Sequence, residues 1–405
     1  MWTTVVNAPH AGRTFARSRQ LVLSADLELD ISGTQVSDAS SLAAFTNIEG
    51  LNLSGTPLTD VHALASLTQL RKLDLRYTPV KDVCALAALT SLEELRLGGT
   101  CVEDVSALAA LTRLRVLDLG CTRVRDVNAL AALTSLEELR LHNTRVYDVR
   151  ALASLWRLQA LDLRETGVKD LRALALMSLE ELRLNTTPVE DVCALAALKR
   201  LRVLDLSNTP LKDLRPLVFL SSSLEELRMT HSCVRDMRAL AKLSGLRVLD
   251  LSYTPVKHVR AMATLTSCTL AALTSLEELR LFGAFVDNDS VGPLTTLSGL
   301  RVLELSFTEV EDVSALAALT RLEELCLSVY DGTCVADMCT FNALTRLRKL
   351  YLSGFIVKNV RSLAALSLEK LILCDVPEKD ERTLVAAGLT GLAGQVSLNY
   401  MIVSR

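Results

Sequence analysis

Residues 92–111 read LEELRLGGTCVEDVSALAAL. In the opening LEELRL the apolar period is two, so a short strand buries Leu95 and Leu97 and turns Glu94 and Arg96 outward. The wording recurs: on the pattern LxxLxLxxTxVxDVxALAxLxx, repeats start at Asp26, Ile48, Leu70, Leu92, Leu114, Leu136 and Leu158, six consecutive intervals of 22 residues. The series continues at Leu179, Leu201, Leu224, Leu246, Leu276, Leu300, Leu322, Leu347 and Leu368, which makes sixteen units. No single unit can bury its own apolar face, so the units must stack, the strands forming a parallel sheet and the Leu and Val columns a shared core.

Two polar columns accompany the leucines. Thr56, Thr78, Thr100, Thr122, Thr144, Thr166, Thr187 and Thr209 fill one slot, where a buried hydroxyl is predicted to satisfy backbone groups of neighbouring turns. Asp60, Asp82, Asp104, Asp126, Asp148, Asp170, Asp191, Asp213 and Asp236 fill another, just before VxALAxL. An acid there reads as a cap for a short helix or turn rather than as a calcium ligand. These repeats resemble the leucine-rich-repeat superfamily, in particular its 22-residue internalin-like class, and the LEELRL…T…VxDVxALAAL wording is similar to leucine-rich-repeat proteins of kinetoplastid protozoa. Thr stands where the family usually has Asn. The resemblance implies an α/β leucine-rich-repeat solenoid, curved, with the parallel sheet on its concave face and short helices or turns on its convex face. The division expected is a cap or irregular segment over 1–25, the solenoid over 26–373 and a C-terminal cap over 374–405.

Composition narrows the function. The chain has 405 residues, 44 Lys+Arg against 47 Asp+Glu and a net charge of -3, so a general nucleic-acid or anionic-membrane binder is not expected. The ten cysteines stand singly, at 84, 101, 121, 193, 233, 268, 326, 334, 339 and 374, which suits reduced thiols inside a cell. The N-terminus shows no apolar leader segment. Residues 261–276 are too short to span a bilayer, and the apolar run over 383–404 is broken by Gly388, Gly391, Gly394, Gln395 and Asn399, so no membrane span is expected. Nucleotide-binding, metalloprotease and nucleophile-elbow motifs are missing, no cofactor or metal is called for, and the late cysteines lack zinc spacing. The one catalytic alternative is Cys121 beside His142, with Asp118 and Asp162 placed nearby on the exposed sheet face.

The central exposed strand position runs Asp74, Arg96, Asp118, Arg140, Asp162, Arg183, Asp205, Arg228, Asp250, Arg280, Glu304, alternating in sign. The position three earlier alternates too, and cross-strand ion pairs are expected along both columns. The alternation ends where Cys326, Tyr351 and Ile372 take the slot. In the same region Tyr253, Phe282, Phe307, Tyr330 and Tyr351 fall on the exposed strand face or the turn past it, whereas Phe285, Phe341 and Phe355 are expected to fill gaps in the core. Exposed aromatics are common interface anchors, though they also occur as fillers of irregular repeats. The reading is a monomeric, non-catalytic scaffold or regulatory subunit in the cytoplasm or another intracellular compartment. It binds a protein through Tyr253, Phe282, Phe307, Tyr330 and Tyr351 with Arg228 and Arg280. An exported internalin-like adhesin is the alternative.

Overall fold

The computed structural model describes residues 27–234, 236–254, 273–329 and 334–374, with one further strand at 22–23. The segments 1–25 (apart from that strand), 255–272 and 375–405, where most of the expected caps and of the two uncharged stretches fall, lie outside the described residues. By contacts the chain forms two compact units, Met1–Leu201 and Arg202–Arg405. In the first, β1 (Val22–Leu23) pairs antiparallel with β2 (Glu28–Asp30). From there β2, β3 (Gly50–Asn52), β4 (Lys72–Asp74), β5 (Glu94–Arg96), β6 (Val116–Asp118), β7 (Glu138–Arg140), β8 (Ala160–Asp162) and β9 (Glu181–Arg183) pair in parallel, each with the next. In the second, the corresponding series is β10 (Val203–Asp205), β11 (Glu226–Arg228), β12 (Val248–Asp250), β13 (Glu278–Arg280), β14 (Val302–Glu304) and β15 (Glu324–Ser328). It continues with β17 (Lys349–Ser353) and β19 (Lys370–Cys374). A second sheet, which the repeat pattern did not reveal, pairs β16 (Val335–Asp337) with β18 (Ile356–Lys358). Every one of the sixteen repeat starts is followed by a strand.

Each repeat strand from β2 onward is three to five residues long because the same 22-residue turn must also bury residues such as Leu92, Leu108, Leu111, Val102 and Val105, all 0 to 2% exposed. The return segments are single 3-10 turns such as Ser106–Ala110, and one short α-helix, α1 (Asn288–Leu294), stands among them. The acids cap as expected: Asp104 Oδ1 accepts the Ser106 N–H at 2.8 Å, and Asp82, Asp126, Asp148, Asp170, Asp191, Asp213 and Asp236 do the same for their own turns.

Where an arginine follows, its guanidinium closes on the same carboxylate. Arg172 and the backbone N–H hold Asp170 at a pKa of about 2, and Arg238 does the same for Asp236, against an ordinary value of 3.8. A carboxyl depressed in the folded state stabilises the fold fully above its unfolded pKa and loses that contribution as pH falls through its folded one. The thermal midpoint should therefore be level near neutrality and drop between about pH 4 and about pH 2. A profile that fell already between pH 7 and 5 would contradict this source of acid lability.

The threonine column corrects one expectation. Each hydroxyl donates to the carbonyl three residues earlier in its own turn, from Thr56 to Leu53 at 2.7 Å through Thr187 to Leu184 at 2.5 Å and Thr209 to Leu206 at 2.7 Å, not to neighbouring turns. The reason is local: the chain turns so tightly after the strand that this carbonyl lies nearest. Ser232 occupies the slot in another repeat, 1% exposed, with its Oγ unpartnered. Ser232→Thr supplies the missing methyl and favours the hydroxyl geometry of its neighbours, so it should stabilise the fold by about 0.5–1.5 kcal/mol in a denaturant titration.

Candidate functional site

The residue before the threonine slot adopts the left-handed backbone in rung after rung. Glycine takes it at Gly33, Gly55, Gly99, Gly283 and Gly354, with φ between 62 and 74°. His231 (φ 53°), Tyr253 (56°) and Phe307 (57°) hold the same conformation with bulky side chains. A non-glycine residue there carries strain of about 1 kcal/mol or more. The fold accepts glycine in this slot, so the aromatic rings are not required for the turn.

Their rings form a chain across successive rungs. His231 stacks on Tyr253 with centroids 4.3 Å apart and planes 8° from parallel. Tyr253 meets Phe282 at 5.0 Å, and Phe282 meets Phe307 edge-on at 5.0 Å. The backbone sets the spacing: Tyr253 N–H donates to the Phe282 carbonyl at 2.7 Å and His231 N–H to the Ser252 carbonyl at 2.9 Å. Gly283 makes room, because a Cβ there would stand 2.9 Å from the Tyr253 ring. Tyr253 is 48% exposed and Phe307 37%, so the stripe is open to solvent. Gly283→Ala should push Tyr253 off Phe282 and cost about 1–2 kcal/mol, since alanine also resists a φ of 62°. An alanine variant as stable as the parent in thermal unfolding would contradict the stacked geometry.

The other site residues are distributed differently. Tyr351 stands apart, half-buried, with the Lys370 ammonium 5.2 Å from its ring centre, and Tyr330 lies outside the described residues. Arg228 and Arg280 pair with Glu226 at 2.7 Å and Glu278 at 3.0 Å, two residues back on their own strands. Phe341 and Phe355 are buried at 0 and 2%, but Phe285 is 44% exposed and fills no gap. It follows the buried Ala284 and takes the outward position that Cys101 occupies in an earlier rung. His231 escaped the sequence reading, although it holds the slot of Tyr253 one rung earlier.

The central charge column also needs correction. Asp74, Arg96, Asp118, Arg140, Asp162 and Arg183 do stand in register, as do Asp205, Arg228, Asp250, Arg280 and Glu304. The acids nevertheless turn back to their own chain, Asp118 Oδ1 accepting the Gly120 N–H and Asp250 Oδ1 the Ser252 N–H, both at 2.9 Å. Arg96, Arg140 and Arg183 pair with Glu94, Glu138 and Glu181 on their own strands. Cross-rung ion pairs form three positions earlier, as Arg71–Glu93 at 2.7 Å, Arg115–Glu137 at 2.7 Å, Arg247–Glu277 at 2.7 Å and Arg301–Glu323 at 2.9 Å. Being exposed and screened by solvent, each contributes little to stability.

The catalytic alternative finds no assembled dyad. Cys121 Sγ accepts from Asn143 Nδ2 at 3.7 Å, while the His142 ring lies over Gly120, with Nδ1 3.4 Å from Asp162 Oδ2. Asp118 and Asp162 are buried at 5 and 7%, not exposed. Burial opposes the charge of Asp162, but the imidazole and the Arg164 guanidinium beside it hold its carboxyl below the usual range. Cys326, where the charge column ends, is pushed well above an ordinary thiol by burial and by Glu304, which disfavours the reactive thiolate. Among the described residues no group of three or more His, Cys, Asp or Glu is arranged to hold a metal, and no helix is long and apolar enough to cross a membrane.

Family models described as Leucine Rich repeats (2 copies) and Leucine rich repeat match residues 90–132 and 199–256. No curated protein sequence matches the chain. Among solved structures, an internalin, InlF, of Listeria monocytogenes is 29% identical, with a TM-score of 0.67 over 73% of this chain and 85% of that one. A leucine-rich-repeat protein of Leptospira interrogans is 20% identical, with a TM-score of 0.71 over 90% and 99%. The ectodomain of the Arabidopsis thaliana receptor kinase GASSHO1/SCHENGEN3, solved in complex with CASPARIAN STRIP INTEGRITY FACTOR 2, is 18% identical, with a TM-score of 0.50 over 83% and 52%.

Proposed function

Starting from what this chain is, a leucine-rich-repeat protein with internalin-like repeats, we propose that it is a non-catalytic scaffold that binds a protein through the aromatic stripe of its second unit. The observation that carries the reading is the run His231–Tyr253–Phe282–Phe307, four touching rings on successive rungs, three of them on residues held in a backbone conformation that glycine would adopt with less strain. Rings of this kind give up water readily and present large, rigid area, which makes them effective anchors. Tyr351, Arg228 and Arg280 form the margin, where arginines already paired on their own strands supply orientation rather than long-range attraction. The receptor-kinase ectodomain of like fold supports a binding role, because it was solved holding a partner.

We place the protein inside the cell. Cys84, Cys121, Cys233 and Cys339 are exposed thiols in no disulfide, a state that a reducing compartment preserves. The test is a capture experiment with the intact chain as bait, repeated with Tyr253→Ala, Phe282→Ala and Phe307→Ala combined. Loss of the captured protein with an unchanged unfolding midpoint supports the reading, and undiminished capture refutes it.

A further inference from the structure

The first unit carries a second surface of different chemistry, at the N-terminal edge of its strands. In the residues leading into each strand, rungs of two kinds alternate: Ser91-Leu92-Glu93 and Ser135-Leu136-Glu137 against Arg113-Leu114-Arg115 and Arg157-Leu158-Gln159. In the structure Arg71, Glu93, Arg113, Arg115, Ser135, Glu137 and Arg157 line one open groove, four arginines against two glutamates.

Both glutamates are already engaged. Glu93 Oε1 accepts from Arg71 at 2.9 and 2.7 Å, and Glu137 accepts from Arg115 at 3.0 and 2.7 Å through both oxygens. Arg113 and Arg157 make no ion pair among the described residues, and both are exposed. Arg157 instead lies 4.7 Å over the ring of Trp156, which is itself 57% exposed. Two guanidiniums thus present their forks to solvent from the same slot two rungs apart, one of them beside an exposed indole.

We propose that this edge is an interaction surface for an acidic polypeptide segment. Arginine forks match carboxylates bidentately, and Trp and Arg are both enriched at the energetic centres of interfaces. Strands stacked about 4.8 Å apart set Arg113 and Arg157 roughly 10 Å from each other, which a peptide extended in the polyproline II conformation spans in one turn of three residues at about 3.1 Å each, with every third side chain on the same face. Acids at every third position of an extended segment therefore meet the two arginines in turn, and an apolar residue near one of them covers Trp156. A nucleic-acid backbone is the poorer occupant. Its phosphates need an uninterrupted positive stripe, and here Glu93 and Glu137 interrupt it in a chain of net charge -3. The surface is independent of the aromatic stripe, since it lies wholly within the first unit and uses none of the same residues.

The probe is a fluorescently labelled peptide with Glu at every third position among Ser and Gly, its Lys counterpart and a thymidine oligonucleotide of similar length serving as comparisons. Binding is followed at low ionic strength by anisotropy and by the emission of Trp156. The glutamate peptide should bind, shift the tryptophan emission and weaken as salt is raised. In the double variant Arg113→Ser, Arg157→Ser it should bind at least about tenfold more weakly. Serine is the native occupant of this slot at Ser91 and Ser135, so the variant keeps the fold, and an unchanged unfolding midpoint verifies it. The proposal is overturned if the glutamate peptide does not bind, if the double variant binds it as well as the parent does, or if the Lys peptide binds equally. It is overturned too if the oligonucleotide binds more tightly and is released by the same substitutions.

Discussion

Phe341→Ala should destabilise the chain by about 3–5 kcal/mol, well beyond the effect of any substitution on the exposed sheet face. Phe341 is fully buried in the 3-10 turn Met338–Ala343, and its carbonyl accepts from Leu344 N–H at 2.8 Å as the Leu108 carbonyl accepts from Leu111. The same slot holds Leu316 one rung earlier and Leu363 one rung later, both at 0% exposure. Alanine there removes a ring from a column whose neighbours cannot close the gap without shifting their own turns. Phe341→Leu restores the residue type of the adjacent rungs and should cost less than about 1.5 kcal/mol. Denaturant titration of both variants checks the pair, and equal losses would mean that Phe341 is not a substitute for the repeat leucine.

Tyr253→Ala combined with Phe282→Ala should weaken partner binding by about 2–4 kcal/mol while leaving stability nearly unchanged. Tyr253 contacts His231 on one side and Phe282 on the other, so the double replacement interrupts the stripe at its middle. Stability changes little because both rings stand at the surface, Tyr253 in a slot that glycine fills in other rungs, so the turns do not depend on them. Asp118→Asn should behave oppositely. It alters a buried turn contact to Gly120 and touches no residue of the stripe.

The architecture was legible because the leucine period is enforced sixteen times, and an isolated irregularity cannot mask it. The capping acids were legible for a related reason, since Asp104 and its counterparts act on an N–H only two residues away. The choice of ionic partner was not. Sequence placed Asp118 beside Arg96 and Arg140 in register, but whether a carboxylate reaches across or turns back depends on the turn that follows the strand, and there the Gly120 N–H lies closer. The left-handed slot was equally hidden, because Gly, Asn, Thr, Tyr, His and Phe all occupy it and share no side-chain chemistry. Without that slot, His231 had no visible tie to Tyr253 and Phe307. The lengthened turn before β16 concealed the second sheet by breaking the 22-residue period.

The most direct measurement places a photo-crosslinking benzoylphenylalanine at Phe307 in one version of the chain and at Arg140 in another, and compares the yield of cross-linked protein after irradiation inside the source cells. Position 307 ends the ring chain, whereas Arg140 stands among the self-paired charges of the first unit. Binding through the aromatic stripe predicts a discrete cross-linked protein from position 307, lost when Tyr253 and Phe282 are also replaced by alanine, and none from position 140. The same protein captured from position 140 with equal or greater yield would contradict it.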